Sequence, residues 1–73
     1  MLADYLNETG SWVVRGGSTS ILALLPTFRA ALERAYQLSQ NGEAVTGMSR
    51  PDGSSRITAP ELLGLFDELR ELV

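Results

Sequence analysis

Not one cysteine or histidine occurs in the 73 residues of this chain, and no other feature restricts its fold as strongly. A chain this short buries only about 60% of the surface that its unfolded form exposes. A single core of that size supplies roughly 3–5 kcal/mol, so small domains usually lean on disulfides, a structural metal or association. Without cysteine the first remedy is excluded, and without histidine or thiolate the second has only hard carboxylate donors to draw on. What remains is a protein partner, or a second copy. The expected unit is one domain, residues 1–73, that works by binding protein.

The hydrophobic fraction of 44% fits a globular domain. The longest uninterrupted apolar run, Ile21 to Leu25, is far shorter than the ~20 residues that span a bilayer. Asp4 and Glu8 follow Met1 where a basic export signal would begin, so neither export nor a membrane partner is expected. Net charge is −3, and all six basic residues are arginines, scattered at 15, 29, 34, 50, 56 and 70. Nucleic-acid affinity comes from clustered positive charge, so no sequence-specific nucleic-acid binding is expected. Histidine-activated nucleophiles, Schiff-base lysines and the lysine-containing phosphate loop are all ruled out by composition. The expectation is a non-enzymatic protein with no cofactor.

Along the chain, Leu2, Tyr5 and Leu6 have helical spacing, and Gly10 can stop a short helix over 2–9. Residues 11–15, Ser-Trp-Val-Val-Arg, lie between glycines and read as a strand. The glycine- and serine-rich stretch 16–20 reads as a flexible capping loop. From Ile21 to Leu38 a broad apolar face recurs with helical period, and Gly42 stands where a helix would stop. Pro26 interrupts it, so the helix either starts there or kinks there; a main helix of 26–41 preceded by a bent helical turn at 20–25 is the preferred reading. Residues 43–58 read as a hairpin turning at Pro51-Asp52-Gly53. Thr58-Ala59-Pro60-Glu61 forms a capping box opening a last helix over 59–72, with Leu62, Leu65, Phe66, Leu69 and Val73 as its stripe. The fold class is therefore α+β: two amphipathic helices packed with a small antiparallel β-hairpin, with residues 11–15 as a candidate third strand.

With two stripes already accounting for one core, the remaining apolar residues are candidates for partner contact. Leu2, Tyr5, Leu6 and Trp12 form an N-terminal docking segment within residues 1–17, and Leu63 stands on the rim of the last helix. Trp12 has two readings, packing on the sheet or anchoring a partner, since tryptophan is enriched at interface hot spots. Glu61, Asp67, Glu68 and Glu71 read as a cap and a solvated face rather than a metal or catalytic cluster.

Phe28-Arg29-Ala30-Ala31-Leu32-Glu33-Arg34 ending at Asn41-Gly42, the turn Asp52-Gly53, and Ile57-Thr58-Ala59-Pro60-Glu61-Leu62 running into Phe66-Asp67-Glu68-Leu69 follow one pattern. Over residues 24–73 the chain resembles the phage lambda-type W proteins, which complete a filled head for joining to its tail. Residues 1–20 have no counterpart in that pattern. The resemblance implies an α+β domain, assembled in a ring at the head–tail connector, without enzymatic activity, located in the cytoplasm of a bacterial host or in a virion. The other class open to such a chain is a small phage or mobile-element inhibitor that binds and blocks a host complex.

Overall fold

The computed structural model describes residues 5, 8–17 and 20–71. Its strands are β1 (Trp12–Gly16), β2 (Ser20–Leu25), β3 (Val45–Ser49) and β4 (Ile57–Thr58), and its helices are α1 (Phe28–Gln40) and α2 (Ala59–Glu71). The strands form one antiparallel sheet in the order β2-β1-β3-β4. The fold is thus α+β with both expected helices, but the sheet has four strands where a two-stranded hairpin was expected.

The difference originates at residues 20–25. They are not a bent helical turn; they are β2, paired with β1 from Trp12↔Leu25 to Gly16↔Ser20. Pro26 closes off the helix because its ring cannot follow a helical residue without a clash. Thr27 then caps α1, its side chain accepting the Ala30 N–H at 3.2 Å, so the helix starts two residues later than expected. The register between β1 and β2 shifts between Val14 and Arg15, leaving Leu22 as an extra residue. Leu22, Ala23 and Leu25 pack toward the core, while Ile21 and Leu24 point out. At the far end of α1, Gly42 adopts φ +90°. Its N–H donates to the Ser39 carbonyl, and that of Glu43 to the Leu38 carbonyl at 2.9 Å; this is the αL stop anticipated from sequence.

The expected hairpin is present as β3 and β4, joined through Pro51–Gly53, where the Gly53 N–H donates to the Arg50 carbonyl at 2.9 Å. Asp52 braces the turn, accepting the Ser54 backbone N–H at 2.9 Å and its hydroxyl at 2.7 Å. Those two bonds, the backbone one first, hold the Asp52 carboxyl below its ordinary value of 3.8. In β3, Gly47 has no substitute: a Cβ there would lie 2.3 Å from the Ile57 carbonyl oxygen, across the β3–β4 pair. The Thr58 hydroxyl donates to the Glu61 carboxylate at 3.4 Å at the start of α2.

Both helices pack on the same face of the sheet. Phe28, Leu32, Leu62, Phe66 and Leu69, the core expected from the helical stripes, are all buried. They close over Trp12 and Val14 of β1, Met48 of β3 and Ile57 of β4. Trp12 is fully buried, edge-on to Phe28 at 4.9 Å and to Tyr5 at 6.0 Å, while Tyr5 stacks on Phe28 at 4.6 Å. Arg50 lies 4.6 Å from the Trp12 ring centre. Its guanidinium also donates to the carbonyls of Thr9 and Ser11 and to the Glu8 carboxylate. The segment before β1 is thereby tied to the end of β3.

Replacing Trp12 with alanine should cost ~3–5 kcal/mol, which urea unfolding monitored by circular dichroism will register as loss of most of the domain's stability. Deleting residues 1–12 should abolish the helical signal for the same reason. A separate expectation concerns acid. Because the folded value of Asp52 is depressed, its contribution to stability is present above the unfolded value and is lost as pH falls through the folded one. The Ser54 amide resonance should therefore shift below about pH 3.8, and Asp52→Ala should remove that shift.

Candidate interaction surface

β1 lies inside the sheet with its side chains alternating between the two faces. Trp12 and Val14 face the helices, whereas Val13 and Arg15 face the side that neither α1 nor α2 covers. Pairing extends that uncovered face into two rows. One runs Leu24–Val13–Ser49; the other runs Ile21–Arg15–Gly47–Thr58. Ile21 and Leu24 are 58% and 62% exposed, and they stand on β2, an edge of the sheet. Val13 and Ser49 between them are buried.

The second row passes from apolar to cationic. Arg15 lies along the face, its Nε donating to the buried Ser49 Oγ at 2.7 Å; Ser49 Oγ in turn donates to the Arg50 carbonyl at 3.0 Å. One bond is used in this way, and four guanidinium N–H donors remain. Beside Arg15 and Gly47 lies a cleft of about 330 Å³ lined by Arg15, Thr46, Thr58 and Arg56 among others, with no acidic residue in its wall. Arg29, Arg50 and Arg70 are each paired with a carboxylate, of Glu33, Glu8 and Asp67 respectively. Arg56 is exposed and has no such partner among the described residues. In a chain of net charge −3, two guanidiniums without carboxylates share one hollow.

The residues picked from sequence are distributed differently. Trp12 is enclosed in the core and cannot be an exposed anchor, because Phe28 and Tyr5 occupy its ring edges and faces. Residues 12–16 are an inner strand rather than part of a detachable docking segment. Tyr5 is half-buried on Phe28, and Leu2 and Leu6 fall outside the described residues. Leu63 is 62% exposed on the outer side of α2, near the Asp67–Arg70 ion pair. The glycine-rich stretch, expected to be a capping loop, leads into β2 at Ser20, so no helix begins there for it to cap. Ile21 and Leu24 escaped notice because they fit the helical period. The signal was a five-residue apolar run, Ile21 to Leu25, held between a glycine-rich stretch and a proline, which suits a strand better than a helix.

Comparison with family models, with curated proteins and with solved structures returns no match. Among the described residues, no group of acidic side chains is arranged to hold a metal ion, and no helix is long and apolar enough to cross a membrane.

Arg15 and Arg56 should behave differently on substitution. Arg15→Ala leaves the buried Ser49 hydroxyl with only its bond to the Arg50 carbonyl and should cost about 1 kcal/mol. Arg56→Gln removes no described interaction and should stay within roughly 0.5 kcal/mol of the parent. Chemical denaturation of the two variants side by side makes the comparison.

Proposed function

We propose that this chain is a non-enzymatic interaction module of the head–tail connector type, assembling with protein through its uncovered sheet face. Residues 24–73, where the W-protein resemblance lies, supply the paired helices and the hairpin. The observation that carries the reading is the exposed pair Ile21 and Leu24 on an unpaired sheet edge. Sheet edges in stable monomers are blunted by charge, proline or a covering element. Ser20–Leu25 carries no charge and no proline, and among the described residues β1 is its only neighbour in the sheet. A small domain gains stability by mass action from any partner that binds only its folded form, and an exposed apolar strand is where that partner gains most from leaving water.

The test is the mass of the full chain in solution, by sedimentation velocity over a range of concentrations. The parent should associate, and Leu24→Glu should reduce it to monomer with its circular dichroism unchanged. A parent that is monomeric throughout would overturn the connector reading and favour a small inhibitor that blocks a host complex.

A further inference from the structure

We propose that the Arg15–Arg56 cleft is a carboxylate socket that receives the acidic outer side of α2 from a second copy, so that copies join head to tail. This rests on the reading just given and specifies its partner. The argument is charge complementarity between two surfaces that lie on opposite sides of one molecule. The helix layer covers one face of the sheet and the cleft opens on the other, so the outward side of α2 and the cleft point in opposite directions. Leu63, Asp67 and Glu71 recur every four residues on that outward side, all exposed, with Glu61 at its start. Asp67 is partly neutralised by Arg70, whereas Glu71 has no cationic partner among the described residues.

Each surface pairs apolar with ionic contact: Leu63 beside carboxylates on the helix, Ile21 and Leu24 beside guanidiniums on the sheet. Arginine matches carboxylate geometry through paired donors, and the Thr46 and Thr58 hydroxyls in the cleft wall add neutral partners. Two copies joined sheet to sheet about a two-fold axis would instead bring cationic clefts together, which repel. Matching unlike surfaces is a heterologous contact, and such contacts propagate into rings or filaments. The acidic net charge also disfavours a polyphosphate strand as occupant.

The experiment uses Arg56→Glu and Leu63→Glu in the full chain, both at exposed positions, with folding checked by circular dichroism. Each variant alone should lose the parent's assembly. Mixed, they should form a one-to-one heterodimer that grows no further. The intact helix of the Arg56→Glu copy enters the intact cleft of the Leu63→Glu copy, while the other cleft has lost its net positive charge and the other helix carries a charge where Leu63 would meet Ile21 and Leu24. If either variant keeps the parent's mass, the head-to-tail contact is wrong. Should Leu24→Glu still dissociate that assembly, only this inference falls and the interaction module stands. A parent that never associates overturns both. Oligonucleotide binding that Arg56→Glu abolishes without any change of mass would show the cleft to be a phosphate site and overturn the socket.

Discussion

Trp12 meets Phe28 edge to face at 4.9 Å, and through that contact the first strand and the first helix hold each other in place. The pair buries the largest side chain of the domain where β1 runs between β2 and β3. With Trp12 pinned, Val14 joins the core under the helices, and Val13 is forced to the opposite face. Alternation along one strand therefore sets which side of the sheet is core and which is open. Tyr5 and Arg50 close over the same ring from the chain that precedes β1 and from the end of β3. The contact therefore spans sequence separations that no local signal encodes. One cost accompanies it: the Trp12 indole N–H is buried without an acceptor among the described residues, a loss of the order of 1–3 kcal/mol against a much larger gain from burying the ring.

The uncovered face follows from the size of the chain. Two helices of thirteen residues each can roof one side of a four-stranded sheet, and nothing among the described residues is left to roof the other. Antiparallel sheets tolerate such exposure when the outer face is polar. Here the rows are mixed: apolar at β2, cationic across β1, and hollow where Gly47 lets β4 approach. The same glycine serves packing and surface. A side chain at 47 would push β4 away, and with it the wall of the cleft that Arg56 to Thr58 supply.

The electrostatic layout is uneven for so few charges. Carboxylates cluster along α2 and three of the six arginines are engaged by acidic partners, yet Arg15 and Arg56 are left facing one hollow. Arg15 is positioned by Ser49, which ties a surface guanidinium to the buried layer of the sheet. A guanidinium held in place loses less freedom on binding than a free one. That difference is what the docking role proposed for this face would draw on.

Sequence alone determined the parts whose signals are local. The stop of α1 at Gly42, the turn at Pro51–Gly53, the span of α2 and the five-residue helical core could all be read from capping chemistry, turn chemistry and period. Residues 20–25 could not, because a short apolar run satisfies helical and strand patterns alike. Only pairing with β1, far cheaper across a glycine-rich turn than extending a helix through Pro26, decides between them. Tertiary structure likewise decided Trp12, since burial depends on what Phe28 and Tyr5 bring to it. It also decided the Arg15–Arg56 hollow, whose members are 41 positions apart in the chain and meet only because β1, β3 and β4 are laid side by side. Hydrogen-bonded register between distant strands, a property no single segment carries, is what places those charges together.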